Sequence, residues 1–346
     1  MATVLPKIRF RDSQIEMAHG AGGKASRRLV EGLFAPLLYG SSIEPLGDAA
    51  HLDINGTRLA ITTDSFVVKP LRFAGGSIGE LAVNGTVNDL AVSGARAQAL
   101  VVTYVLEAGL PTEILEAEVR AMGKAAASAG VVIAGGDTKV VENGKADRMY
   151  ITTAGIGPLI DGISLSPASV RPGDQVLLSG PIGDHGITIL LARGDLEFDA
   201  DLCSDTRSVL PLIEAIAKVA APGIRWMRDP TRGGVATSLN ELARDCGLAV
   251  LLSEDQIPIR DAVRGSCELL GLDPLHIANE GQFLAVIAAE YAEAALHALR
   301  EAPGGHEAAI IGRIDEQPAA TVLGITGYGG TRVIDMLVGD PLPRIC

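Results

Sequence analysis

LAITTDSFVVKPLRFAGGSIGELAVNGTVNDLAVSGA, residues 59–95, is the stretch on which the fold turns. It opens with an apolar run, Leu59 to Thr63, that ends at Asp64 and predicts a strand with a carboxylate at its C-terminal end. Residues 77–93 then predict a helix despite Gly85. Ile78, Leu81 and Ala82 share one face, while Asn84, Asn88 and Asp89 place unusual polarity on the element. Outward from there, residues 99–106 (ALVVTYVL) predict a buried strand, and Thr112 caps a helix that runs to about Ala129 and stops at Gly130. A second apolar run, Val131 to Ala134, leads into a Gly135-Gly136-Asp137 turn, and Arg148 to Gly157 is another strand.

The second half repeats the mixture. Val176–Ser179 and Phe283–Ala288 predict strands; Val209–Val219, Val235–Asp245 and Ala292–Arg300 predict helices. Strand and helix alternate in both halves, so the class is mixed α/β. The Pro- and Gly-bearing stretch from Gly157 to Gly173 is the domain boundary. The expected organisation is an arm with a Gly-rich loop (1–45), an N-terminal domain (46–160), a C-terminal domain (161–334) and a flexible tail (335–346).

Composition narrows the class. At roughly 100–200 residues per domain, 346 residues suggest two domains. With 47% hydrophobic and 21% charged residues the chain can bury a core, which excludes wholesale disorder. Aromatics are only 3%, against a base-stacking surface. Lys plus Arg is 29 and Asp plus Glu is 42; the net charge, 29 − 42 = −13, repels nucleic acid and anionic lipid. No stretch reaches the roughly 20 apolar residues of a membrane span, and the N-terminus lacks the apolar run of a signal peptide. The four cysteines, Cys203, Cys246, Cys267 and Cys346, form no CxxC pair, which fits a reduced, cytoplasmic protein.

The usual phosphate-binding signatures are absent: Gly23-Lys24 is followed by Ala25, so there is no Walker loop, and no GxGxxG opens a helix after a strand. Gly75-Gly76-Ser77-Ile78-Gly79 fits GxSxG, but the nucleophile elbow needs a strand directly before it. A glycine turn with Ser77 at the helix N-cap is the plainer reading. What remains is a set of carboxylates at strand ends and turns: Asp48 (GDAAH), Asp64 (TTDSF), Asp89 (VNDLA) and Asp137 (GGDTK). Each alone reads as a cap or turn residue. Together they fit Mg²⁺ held through carboxylates and substrate phosphates, as in an ATP site. Gly20-Ala21-Gly22-Gly23-Lys24 offers backbone donors and a cation that could close over phosphates. Arg228-Asp229-Pro230-Thr231-Arg232-Gly233-Gly234 reads equally as a phosphate-holding turn or a salt-bridged cap. Glu280, in Asn279-Glu280-Gly281 before a strand, is either a surface turn residue or a costly internal acid with a function.

The tail, Asp335 to Cys346, ends PLPRIC. Its prolines favour an extended strip, and twelve residues at roughly 3.3 Å each cover about 40 Å, enough to carry a terminal thiol from solvent into a pocket. A terminal Cys on a frayed end is the alternative. Beside its own carboxylate the thiol favours the protonated form, with Arg344 partly countering this.

Seven strings, HGAGG (19–23), TTDSFVVKP (62–70), VNGTVNDLAVSGA (83–95), AGGDTKVV (134–141), RDPTRGG (228–234), ANEG (278–281) and the terminal PRIC, together resemble the HypE hydrogenase maturation factors. These belong to the aminoimidazole ribonucleotide synthetase-like (PurM-like) superfamily, and the resemblance spans nearly the whole chain. Ser77 departs from it, standing where an acidic residue is expected.

The resemblance implies a two-domain PurM-like fold and a homodimer joined through the first domain, with ATP sites near the interface. It also implies ATP-dependent dehydration of a carbamoylated C-terminal Cys to a thiocyanate. The partner HypF supplies the carbamoyl group, and cyanide passes to iron on the HypC–HypD complex. On that reading Cys346 is the carrier, Glu280 the base, and Lys139 stabilises charge developing on oxygen. Mg²⁺ lies on Asp48, Asp64, Asp89 and Asp137. Gly20, Gly22, Gly23, Lys24, Gly136, Thr138, Asn88 and Arg232 contact ATP. The rival readings are an ATP-dependent small-molecule synthetase or kinase of the same superfamily, and a nucleotide-switched scaffold without turnover.

Overall fold

A computed structural model describes residues 9–38, 46–194, 200–339 and 342–346. The N-terminal segment carries α1 (Lys24–Leu29) and α2 (Ala35–Leu38). Then come β1 (Ala50–Ile54), β2 (Thr57–Phe66), a small hairpin of β3 (Arg72–Phe73) and β4 (Gly76–Ser77), α3 (Ile78–Val92), β5 (Ala99–Glu107), α4 (Thr112–Ala129), β6 (Val132–Val141) and β7 (Met149–Pro158). The five long strands form one sheet in the order β1-β2-β7-β5-β6. All its pairs are antiparallel except β5·β6, which run parallel because α4 carries the chain back between them.

The helix expected over 77–93 is α3, and nearly all of its residues are buried. It packs against β2, β7 and α4, which explains the two glycines in it. A Cβ at Gly79 would stand 2.2 Å from the Glu118 carbonyl oxygen of α4, and one at Gly85 would stand 2.8 Å from the Phe66 ring of β2. Ser77 occupies the N-cap position of α3, as expected, but its buried hydroxyl makes no cap bond. Pro111, not Thr112, caps α4, and Gly130 ends it in the left-handed conformation (φ 69°).

One expectation fails instructively. Gly135-Gly136-Asp137 is not a turn: β6 runs straight through it. A bulge shifts the β5·β6 register between Leu100 and Val101, and a Cβ on Gly136 would stand 1.9 Å from the Val102 carbonyl oxygen. The glycines serve close strand approach.

The second half holds β8 (Gln175–Leu178), α5 (Asp184–Ala192), α6 (Leu210–Ala220), β9 (Ile224–Arg228), α7 (Gly234–Cys246), β10 (Ala249–Ser253), α8 (Asp261–Leu270), β11 (Leu284–Ile287), α9 (Ala289–Glu301), β12 (Ala309–Asp315), β13 (Thr321–Ile325) and β14 (Thr331–Ile334). Its sheet runs β14-β13-β10-β12-β8-β11-β9. One face packs Leu177, Ala285 and Ile287 against Ile213 and Ile216 of α6 and Leu299 of α9. The other packs Val176, Leu284 and Val286 against Val235, Leu239 and Leu242 of α7. β8 and β11, covered on both faces at the interior of this sheet, read as short continuous apolar runs, whereas β13 alternates and edge strand β14 exposes three of its four residues, so these two do not stand out as apolar runs.

Among the described residues the first sheet is covered on one face. Side chains alternate across its strands. Ala60, Thr62 and Phe66 point toward α3, whereas Leu52, Ile54, Ile61 and Val101 stand exposed on the opposite face. The tail does not lie loose. Leu342, Ile345 and Cys346 are buried in the same core as Phe66, Val68, Leu81 and Ile187.

Candidate active site

The covered face of the first sheet meets the second domain at a cluster of acids. Asp48 lies in the loop before β1, Asp89 on α3 and Asp229 just after β9, and one carboxylate oxygen from each lies within 4.8 Å of the others. Thr62 of β2 orients two of them, its hydroxyl 2.6 Å from the Asp48 carbonyl oxygen and 3.0 Å from Asp89 Oδ2. Burial raises the pKa of Asp48, Asp64, Asp89 and Asp229 alike. Mutual repulsion adds to this most at Asp89 and Asp229, which lie well above the usual carboxylate range.

Arg228 offsets part of that repulsion, pairing with Asp48 and, at 2.9 Å, with Glu241. Burial works against its own charge, but Asp48, Glu241 and Asp229 outweigh that and hold it firmly protonated. In the RDPTRGG string, then, the first arginine is a salt-bridged brace. The second, Arg232, reaches the glycine loop: its Nη1 donates to the Gly20 carbonyl at 3.0 Å, and its Nη2 lies 3.9 Å from Asp64. Gly22 (φ 77°) packs so closely on Arg232 that a Cβ there would fall 2.6 Å from its side chain. Gly23 and Lys24 meet the root of the tail, where the Lys24 amide donates to the Leu337 carbonyl at 2.9 Å and its ammonium pairs with Asp335.

Glu280 is internal, 3% exposed, and its Oε1 has no hydrogen-bond partner among the described residues. Burial first, then the charges of Asp229, Asp64 and Asp205, pushes its pKa well above the usual range. Asp205 holds its loop by accepting from the amides of Glu280 (3.0 Å) and Gly281 (3.1 Å). The tail docks along the continuation of β2: the Val67 amide donates to the Cys346 carbonyl at 3.0 Å, three residues beyond Asp64. Arg344 is spent elsewhere, pairing with Asp147 and donating to the Val67 carbonyl at 3.1 and 3.2 Å.

Family models of AIR synthase related proteins match the chain over residues 46–159 (N-terminal domain) and 171–324 (C-terminal domain). A carbamoyl dehydratase HypE from Azotobacter vinelandii is 47% identical over 342 residues, covering 99% of this chain and 100% of that one. The chain belongs to the HypE family. A HypE–HypF complex superposes with a TM-score of 0.84 at 42% identity, over 89% of this chain and 99% of that one. HypE in complex with ATP superposes with a TM-score of 0.80 at 45% identity, over 96% and 100%. The mixed α/β, two-domain PurM-like architecture expected from the HypE resemblance is the one observed.

Of the residues expected at the site, the structure brings together Asp48, Asp64, Asp89, Glu280, Arg232 and the glycine loop, with Cys346 docked along the extension of β2. Three other expectations are corrected within one chain. Asp137 and Lys139 pair with each other on exposed β6, in register with Thr103 and Val105. They therefore point to the open face, away from the acids under α3, and the Lys139 ion pair lowers the Asp137 pKa. Gly136 and Thr138 share that exposed strand. Asn88 is no free nucleotide contact: its Nδ2 donates to the carbonyls of Arg207 (2.9 Å) and Glu280 (3.1 Å), and its Oδ1 accepts from the Val209 amide at 2.8 Å. It braces the loop that carries Glu280.

Missing from the expected set are Asp229, which completes the acid cluster, and Asp205, His185 and Arg193. Asp229 had a signal, lying inside a string singled out for its arginines. His185 and Arg193 had none nearby in sequence. Among the described residues no helix is long and apolar enough to cross a membrane.

Proposed function

We infer that the protein is an ATP-dependent carbamoyl dehydratase of nickel–iron hydrogenase maturation. It converts a thiocarboxamide on its own Cys346 to a thiocyanate. The observation that carries this reading is the seat of Cys346, buried and bonded through its carbonyl to the extension of the strand that bears Asp64, in a fold that also buries Glu280 with an Oε1 unpartnered among the described residues.

The amide oxygen of a thiocarboxamide is a poor leaving group until it carries phosphate. Phosphoryl transfer is governed mainly by positioning and charge neutralisation. ATP, when bound, supplies the phosphoryl group, and Mg²⁺ offsets its charge. The donor set fits a hard cation, being oxygen-only, buried and mutually repelling, with Asp48, Asp89 and Asp229 as ligands and Asp64 adjacent. On this reading the glycine loop and Arg232 receive phosphate oxygens. Glu280 takes an N–H proton as the C–O bond breaks and C≡N forms. The other N–H proton is released when the amide oxygen takes the phosphoryl group, and the oxygen departs in phosphate, so the chain loses the elements of one water while ATP becomes ADP and phosphate. Burial is the first cause that holds Glu280 protonated, and a cation on the acid cluster would offset the added repulsion from Asp229 and Asp64, favouring the carboxylate form that acts as base.

HypF is the source of the carbamoyl group on this reading, and an iron held by HypC–HypD receives the cyanide. The test is intact mass with tail-peptide mapping. With HypF, carbamoyl phosphate and ATP, Cys346 gains one carbamoyl group, and with Mg²⁺ also present it loses one water. Without Mg²⁺ it stops at the carbamoylated species. A tail left unmodified by demonstrably active HypF overturns the reading.

We further propose that a second copy covers the open face of the first sheet. Leu52, Ile54, Ile61 and Val101 form an apolar surface there, beside Asp137 and Lys139. A partner on that face is what would bring Asp137 and Lys139 toward a nucleotide. Light scattering is expected to give twice the chain mass for the wild type and the single-chain mass for Val101→Asp. A wild type that stays monomeric at micromolar concentration refutes it.

A further inference from the structure

The body grips the end of the tail through main-chain carbonyls. The Arg193 guanidinium donates to the carbonyls of Pro343 and, at 3.0 Å, Arg344. The Lys69 amide also donates to Arg344 (3.4 Å), and the Val67 amide to Cys346 (3.0 Å). The carbonyl between them, that of Ile345, is held at 2.9 Å by Nε2 of His185 on α5.

His185 is wholly buried, and Phe73 stands edge-on to its ring at 5.6 Å. A carbonyl can only accept, so Nε2 carries the proton. Nδ1 then accepts from the Ser204 hydroxyl, 2.7 Å away. Ser204 Oγ in turn accepts from the Thr206 amide at 3.1 Å. Burial lowers the His185 pKa to about 4, which keeps the ring in this neutral form. The residue between Ser204 and Thr206 is Asp205, which holds the amides of Glu280 and Gly281. One short segment, 204–206, therefore supports both the group that holds the carrier and the loop that presents the base.

We propose that His185 is a positioning residue for the dehydration. Through its Ser204-fixed tautomer it holds the Ile345 carbonyl, and so sets how long Cys346 stays in the pocket and how it faces Glu280. The proposal rests on the carrier role of Cys346. It separates His185 from an ordinary core histidine because the tail must also leave the pocket to be carbamoylated, so weakening the grip moves two half-reactions in opposite directions.

The test uses the full chain with His185→Phe, which fills the ring space without a donor, and His185→Gln, whose amide can replace the Nε2 donor. Losing one neutral hydrogen bond shifts an equilibrium by up to about tenfold. His185→Phe is therefore expected to raise iodoacetamide labelling of Cys346, read on the tail peptide, about tenfold. It should lower single-turnover conversion of the carbamoylated chain by a similar factor and leave carbamoylation by HypF as fast as wild type or faster. His185→Gln should restore most of the loss. Ser204→Ala, which frees the tautomer, should shift labelling the same way by less, and it decides the matter if His185→Phe does not fold. Wild-type labelling in folded His185→Phe, or in Ser204→Ala when His185→Phe does not fold, overturns the proposal. So does a parallel fall in both half-reactions. Altered labelling with no dehydration in the wild type would instead leave the grip standing and sink the proposed function.

Discussion

Glu280→Gln is expected to accept a carbamoyl group at Cys346 and bind ATP as the wild type does, yet to convert the thiocarboxamide about 100- to 10,000-fold more slowly, the range for removing a positioned general base. The substitution keeps the shape of the side chain, so its effect on folding has a sign that can be worked out. Burial and the nearby charges of Asp229, Asp64 and Asp205 hold the folded-state pKa well above the unfolded value. The folded protein therefore binds the extra proton, and its stability falls as pH rises from the ordinary carboxylate range toward that raised pKa. Glutamine removes this dependence. The variant should melt higher than the wild type at neutral pH and converge with it in acid. Slower dehydration together with higher stability is the pattern of a group retained for chemistry at the expense of the fold. Single-turnover mass measurements and melting curves across pH 5–8 check both halves. Wild-type conversion removes Glu280 from the role of base.

Much of this site was legible because its chemistry sits at element ends. Asp64 near the end of β2 and Asp89 on an oddly polar helix could be picked out from the alternation of apolar runs and polar residues. The mixed α/β class followed from the same alternation. The expected residues that lie away from the acids within one chain do so for physical reasons. In sequence, Asp137 after two glycines looks equivalent to Asp64 after two threonines. In the sheet, strand parity and the bulge at Leu100/Val101 place it on the opposite face, and neither register nor bulge is written in local sequence. Asn88 looked like a ligand because it is a polar residue on an apolar helix. Its full set of three bonds to Arg207, Glu280 and Val209 is a tertiary fact. Asp229 was screened by its neighbours, since two flanking arginines suggested phosphate, whereas one of them is consumed by Asp48 and Glu241. His185 lies in an apolar helix whose partner is 160 residues away, a separation at which no spacing rule operates.

Cys346→Ser is expected to abolish thiocyanate formation outright while leaving the melting temperature and ATP affinity close to wild type. A hydroxyl at this position is nearly isosteric, and the carbonyls of residues 343–346, the Arg344 side chain and buried Leu342 and Ile345 all help to seat the tail. The serine chain therefore docks normally but offers no thiolate to receive the carbamoyl group. This outcome discriminates among the enzymes that the PurM-like fold could support. A kinase or synthetase acting on a free small molecule would tolerate the change, since nothing in such a reaction requires a buried C-terminal sulfur. A nucleotide-switched scaffold would show no water loss from the wild-type tail to begin with. Only a protein whose own last residue is the substrate loses everything to one oxygen-for-sulfur exchange while keeping its fold and nucleotide site. Intact-mass analysis after HypF and ATP treatment, beside nucleotide titration of the same sample, reads both. Thiocyanate formed anywhere on the serine variant would move the carrier to another cysteine, and the buried seat of residue 346 would then need a different explanation.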